Sequence, residues 1–369
     1  MTTAGRVRLM AVLSLTVWIA SPVPMAAAFG TIDGGGQHRE HERITRASLS
    51  CAGDAPLGDV CFAAKSMDYL AGHDREFGAV GAPDSDEIAD PTAHCDNADF
   101  LGSDYPRTRD EATAGLVDCV SHLNTRFEAA VVAAGTLLDD QGQIVADEVN
   151  FDTECKGLEV AESRAKCATL EAFGRVLHGA QDFYAHSNWA DEADPTSPIG
   201  VENPPGLNLP GPSPVLDLRS GTPPEVPADL ITGCFVLRDE VSGVGECTGR
   251  VTHAALNKDN GLVDPNTGAT SGPTTPRSMV QDNFAKAVTG AVAESRRQWQ
   301  DFQSELTTRY GEDQAALMAC SLTHDDPLNE CHETSKNWII AGVVVATAGV
   351  VFLVSVLVIR RRRSRRAAV

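Results

Sequence analysis

Apolar positions recur at helical spacing along four stretches of the chain, and each stretch predicts a helix with one buried stripe. The first covers about residues 40–49. In the second, about 110–138, Leu116, Val120, Leu123, Phe127 and Val131 share a face. In the third, about 161–188, the stripe is Leu170, Phe173, Leu177, Ala180 and Tyr184. In the fourth, about 278–310, it is Phe284, Val288, Ala291, Val292, Trp299 and Phe302. These are core positions of a helical bundle, so the expected fold class is mainly α. Between the third and fourth helices, residues 193–275 read as an irregular Pro/Gly-rich excursion, broken by Pro204-Pro205, Pro210-Gly211-Pro212 and Pro223-Pro224. Within it, residues 230–236 and 248–252 read as short strands. An excursion of this length goes with function or disorder. Here it is expected to wall a cleft.

Two further apolar runs have no such periodicity. Leu9 to Ala20 follows Arg6 and Arg8 and precedes Ala26-Ala27-Ala28, the pattern of a cleaved secretory signal over residues 1–28. Cleavage there would make Phe29 the new N-terminus. Residues 338–359 carry no charge and would extend about 33 Å as a helix, enough to cross a bilayer core. The arginine-rich tail 360–369 follows, which places that end in the cytoplasm and residues 29–337 outside the cell. The expectation is a single-pass cell-membrane protein with a helical domain at 29–310 and a stalk at 311–337.

Location gives the cysteines a meaning. All ten fall between Cys51 and Cys331, an even count in an exported chain, which predicts five disulfides. Their positions suggest nearest-neighbour pairs, although spacing alone does not fix connectivity. Removing the leader and tail arginines takes the formal charge from −21 for the chain to −29 for the outer part. That disfavours passive binding to nucleic acid or anionic lipid, and no sequence-specific nucleic-acid binding is expected. It suits a site whose cations are supplied by metal.

The third predicted helix holds the strongest chemical signal. His178, Asp182 and His186 recur every four residues and so point into one sector. Two imidazoles and a carboxylate on one stripe are a common divalent-metal arrangement. His186 lies about 12 Å along the axis from His178, too far for one ion to take all three. More than one metal is therefore expected. Other ligand-type residues stand at His41, at Asp84 and His94, and at His253 and Asp259. Taken singly, each has an ordinary reading. His41 or His94 could be a hydrogen-bonded or surface histidine, and His73, His122, His324 and His332 are read that way. Asp86, Asp90 and Asp96 read as loop acids, and Asn257 with Asp259 as a turn. Glu171 could simply pair with Arg175. Tyr184 and Trp189 read as packing residues.

The run Leu177-His-Gly-Ala-Gln-Asp-Phe-Tyr-Ala-His-Ser-Asn-Trp189 resembles the Het-C family, whose members carry LH-x-x-QDFY-x-HSNW. His41-Glu-Arg-Ile-Thr-Arg resembles that family's N-terminal histidine segment, and the chain also resembles the actinobacterial CinY-like secreted proteins. Het-C is distantly similar to zinc-dependent phospholipases C and single-strand-specific nucleases, which are helical and bind three zincs. The resemblance implies a zinc-phospholipase-C-like bundle holding two to three zinc ions. By its pattern the backbone of Phe29, where those enzymes have Trp, and His41 would hold one zinc. Asp84, His94 and His178 would hold a second, with Asp182 bridging. His186 would hold a third, with His253 and Asp259 as partners. Asp182 and His186 are closer in sequence here than in the phospholipases.

The implied activity is hydrolysis of a phosphate ester by a metal-bridging hydroxide, which Asp84 and Asp182 would support. The other readings are a non-catalytic cell-surface recognition or structural module with structural metal, and a metal-free, disulfide-stapled domain.

Overall fold

The computed structural model describes residues 29–51, 61–150, 155, 164–219, 225–235 and 245–331. The leader at 1–28, the apolar run 338–359 and the basic tail 360–369 lie outside the described residues. Among the described residues no helix is long and apolar enough to cross a membrane.

The fold is mainly α. In chain order it runs β1 (Asp33–Gly34), β2 (Gln37–His38), α1 (Glu40–Leu49), α2 (Ala64–Ala71), β3 (Gly72–His73) and β4 (Glu76–Phe77). There follow α3 (Pro83–Asp86), α4 (Arg109–Ala134), α5 (Ala146–Val149), α6 (Ala165–His186) and α7 (His253–Leu256). The chain then forms β5 (Leu262–Val263), β6 (Thr270–Ser271), α8 (Asn283–Tyr310), α9 (Glu312–Thr323) and α10 (Pro327–Glu330). The strands form three two-residue antiparallel hairpins, β1–β2, β3–β4 and β5–β6.

α6 is the centre of the molecule. Every one of its residues is buried, and it packs against α4 on one side and α8 on another. A helix covered all round must be approached closely, and two glycines allow this. A Cβ on Gly174 would sit 2.6 Å from the Ala79 carbonyl carbon, and one on Gly179 would sit 2.6 Å from Ala93 O. The segments carrying Val80 and His94 can therefore lie directly on α6. The predicted stripes fill the core: Phe127 of α4, Phe173 of α6 and Trp299 and Phe302 of α8 are all at or below 1 % exposure and make edge, tilted or stacked ring contacts.

Helix ends follow local chemistry. α1 matches its expected bounds, with Glu40 and Glu42 in its first turn and Arg46 in its last, both favourable to the helix dipole. α4 starts on a capping box in which Thr108 and Glu111 satisfy each other's backbone N–H. α6 ends at His186 rather than near 188, because the Asn188 side chain turns to bind Pro205 O, Asp229 O and Ile231 N.

Two expectations are corrected. Of the expected strands 230–236 and 248–252, the described residues 230–235 and 248–252 are not strands; Ser187–Thr232 is an isolated bridge that ties the excursion to the end of α6, and Cys234–Thr252 is one within the excursion. Nor is 311–331 a free stalk. α9 places Ala315, Met318, Ala319 and Leu322 in the main core, a 3–4 spacing that makes it one more bundle helix. All five disulfides are nearest-neighbour pairs: 51–61, 95–119, 155–167, 234–247 and 320–331.

Candidate metal centre

Four elements bring donors to one place beside the middle of α6. His178 and Asp182, one turn apart on α6, meet with Nε2 3.0 Å from Oδ2. His94, from the loop that lies on Gly179, puts Nδ1 2.9 Å from the same oxygen. His41 of α1 brings Nε2 to 3.2 Å from the other carboxylate oxygen, Oδ1. Asp84, the second residue of α3, reaches 3.8 Å from His178 Nε2. Donor atoms of His41, His178 and Asp182 lie within 4.8 Å of one another, as do those of Asp84, His94 and His178. These are two overlapping groups that share His178.

Neighbouring groups fix which nitrogen faces inward. His178 donates from Nδ1 to Val80 O at 2.8 Å, which leaves Nε2 for the site. His41 Nδ1 lies 2.8 Å from Gln181 Oε1, and Gln181 is held in that orientation by donating Nε2 to Thr45 Oγ1 and Ser295 Oγ. Such outer hydrogen bonds set the tautomer of metal-binding histidines.

A second group lies beyond the end of the stripe. His186, His253 and Asp96 bring donor atoms within 4.8 Å of one another. Asp259 joins them, with Oδ1 3.1 Å from His186 Nε2 and Oδ2 3.5 Å from His253 Nε2. His186 thus belongs to a different group from His178 and Asp182, as its distance along the helix required. Cys320, His324 and Cys331 also converge, but the two sulfurs are bonded to each other.

The electrostatics follow from packing imidazoles and carboxylates together away from water. Burial alone would raise the Asp182 carboxyl, but His178, His41 and His186 together hold it well below its usual range. Burial lowers His94, and the hydrogen bond and charge of Asp182 outweigh that and push it up to about 9. Asp96 and Asp259 likewise raise His253 against its burial. His178 goes the other way, lowered chiefly by burial. Several buried side-chain atoms here have no hydrogen-bond partner among the described residues: His41 Nε2, His94 Nε2, Asp84 Oδ2, Asp182 Oδ1, His186 Nδ1, His253 Nε2 and Asp259 Oδ2. Unpaired buried polar atoms are costly, and their concentration here is what a metal would satisfy. The donors are all imidazole nitrogen and carboxylate oxygen, a set that suits zinc among other divalent ions.

Phe29 is wholly buried with its ring edge-on to His41, centroids 5.9 Å apart, and Gly30 O accepts from His41 N. The expected N-terminal segment therefore borders the first group. Two residues that matter here were not among the expected ligands. Asp96, read as a loop acid, faces His186 and His253, and Gln181 orients His41. A signal for Asp96 was present in its place two residues after His94, on a segment already expected at the site. Glu171 pairs with Arg175, as its ordinary reading had it.

The donors are enclosed. A crevice too narrow to hold water, lined by Thr31, Glu42, Phe77 and Gly81, reaches His41. A wider open pocket has Asp96 in its wall together with Thr92, Asn97, Arg107 and Asp118. No known family model matches this chain, and no curated protein or solved structure is significantly similar to it.

Proposed function

We propose that the protein is a membrane-anchored extracellular zinc protein of Het-C type, a phosphoesterase-like hydrolase holding two to three zinc ions. Five disulfides and several His/Asp groups able to hold a metal fit an extracellular metal-binding protein. The observation that carries the further step is the paired arrangement around Asp182. One carboxylate faces His41 through one oxygen and His178 and His94 through the other, so Asp182 would help to hold metal at both groups.

Zinc bound there would supply Lewis acidity toward a phosphoryl oxygen and bring the pKa of a coordinated water toward neutrality. The chain's own part is positioning. Val80 O and Gln181 hold the imidazole tautomers, Asp84 and Asp182 would supply negative charge toward the metal, and burial of these groups excludes bulk water. No side-chain nucleophile is required. The membrane run 338–359 would hold the site at the outer surface, where a phosphate-ester substrate is the expected partner.

A second reading is a recognition or structural module with structural metal, and one observation favours it. The ligand side chains are nearly sealed, with Asp84 the most open at 11 % exposure, whereas catalytic metal sites keep an open position. Residues 29–337, purified without added metal, should contain at least one zinc per chain by plasma mass spectrometry; less rejects the metal reading. The loaded protein should cleave a simple phosphodiester, phospholipid or single-stranded nucleic acid. Tight zinc without any such cleavage favours the structural module.

A further inference from the structure

Residues 94–96 serve both metal groups at once. His94 faces Asp182 and His178, with Nδ1 at 2.9 and 3.0 Å. Asp96, two residues on, faces His253 at 3.3 Å and His186 at 3.5 Å. Between them Cys95, fully buried, is bonded to the equally buried Cys119 of α4. Cys95 and Asn97 both take left-handed backbone, with φ of 55° and 64°. A non-glycine residue other than asparagine rarely takes that conformation, so at Cys95 the surroundings must hold it. On one side the enforcement is the bond to α4. On the other, Asn97 N donates to Gly233 O at 2.7 Å, Asn97 Oδ1 accepts from Phe235 N at 3.0 Å, and Ala98 N donates to Thr232 Oγ1 at 3.0 Å.

We propose that the Cys95–Cys119 disulfide is a positioning strut shared by the two metal centres, so that breaking it weakens metal binding at both. The inference rests on the two-centre reading above. The strut holds the 94–96 backbone in its left-handed turn before any ion arrives, so neither ion has to order its own ligand. Without the bond, the first ion to bind must order residues 94–96 and binds more weakly. The next ion then finds its ligand in place, and positive cooperativity appears. Linkage makes the effect reciprocal: bound metal protects the disulfide. Reduction by an external phosphine breaks the sulfur–sulfur bond. The phosphine is oxidised to its oxide with oxygen from water, and the two electrons and two protons appear on two thiols.

The test compares the double variant C95S/C119S with C51S/C61S, which removes the disulfide just after α1, ten residues beyond His41 in sequence. Zinc affinity at each centre is read by competition with a chromogenic chelator, and folding by circular dichroism. C95S/C119S should bind zinc at least about tenfold more weakly at both centres, with new cooperativity, while C51S/C61S matches the wild type. Unchanged affinity, or loss at one centre alone, overturns the strut. The wild type gives a second measurement if C95S/C119S does not fold. Phosphine reaches the buried Cys95–Cys119 sulfurs only when the turn opens, and bound zinc holds it closed, so zinc should slow their reduction at least about tenfold, read by alkylation and mass spectrometry, and leave Cys51–Cys61 unaffected. Equal rates with and without zinc overturn the proposal. A wild type that takes up no zinc overturns the metal reading itself, which sets that failure apart from failure of the strut.

Discussion

The amide oxygen of Gln181 lies 2.8 Å from Nδ1 of His41 and thereby decides which nitrogen of that imidazole is left for a metal. The same glutamine donates to Thr45 and Ser295, so it cannot turn its nitrogen toward the histidine without breaking both bonds. Gln181 lies one residue before Asp182 on α6 and joins that helix to α1 and α8.

Gln181→Leu should therefore weaken metal at the His41 group by about tenfold to a hundredfold, the usual cost of losing an outer hydrogen bond to a metal-binding histidine. The His186 group should keep its affinity. Isothermal titration with zinc separates the two, and an equal loss at both would show that the substitution disturbs α6 as a whole.

Asp96→Asn tests the ligand that faces His186 and His253. The amide keeps the shape of the carboxylate and removes its charge, so metal affinity at that group should fall at least about tenfold. Asp90→Asn, six residues earlier, is the control. The Asp90 carboxylate accepts from the N–H and hydroxyl of Thr92 in its own turn, which is the behaviour of a loop acid. Cobalt substitution followed by absorption spectroscopy would read each site, and identical behaviour of the two variants would remove Asp96 from the ligand set.

The contrast between Asp90 and Asp96 shows where the sequence was readable. The stripes of α4, α6 and α8 are periodic, and their core positions follow from 3.6-residue geometry alone. His178 and Asp182 share a turn of one helix, so their meeting needed no tertiary knowledge. Asp96 faces the other way from His94 because Cys95 and Asn97 take left-handed backbone, a choice made by the disulfide and by contacts with residues 232–235. Nothing in a local pattern encodes that. α9 was legible in its own spacing, but its position before an apolar run suggested a stalk instead.

Arg175→Met should loosen Asp84. The Arg175 guanidinium binds both oxygens of Asp86 at 3.0 and 2.7 Å, Glu87 at 2.8 Å and Glu171 at 2.9 Å, and so ties the turn carrying Asp84 to α6 three residues before His178. Its loss leaves the buried Glu171 without its cation, at a cost of about 3 kcal/mol. Part of this should return in the double variant E171Q/R175M, because the uncompensated charge is gone. Urea unfolding measures the stability, and zinc titration should show weaker binding at the Asp84 group in both variants. Full-strength zinc binding in R175M would mean that Asp84 is held by other contacts.

Lys166 gives the fold a distinctive dependence on pH. It lies at the start of α6, fully buried, and donates Nζ to His324 O at 2.6 Å. Burial lowers its pKa to about 7, against the opposing pull of Asp325 and Glu330. In the unfolded chain a lysine keeps its proton up to about pH 10.4. Below pH 7 both states are protonated and the group adds no slope. Between pH 7 and that unfolded value the unfolded chain binds the extra proton, so stability rises with pH by up to about 1.4 kcal/mol per unit. Lys166→Met has no such proton to lose. The stability difference, wild type minus K166M, should therefore grow steadily between pH 7.5 and 9.5, an interval chosen within the window set by about 7 and about 10.4. Urea midpoints of both proteins at three pH values measure it. A difference that stays flat across the interval would mean that Lys166 remains charged in the folded protein, with Asp325 and Glu330 compensating its burial.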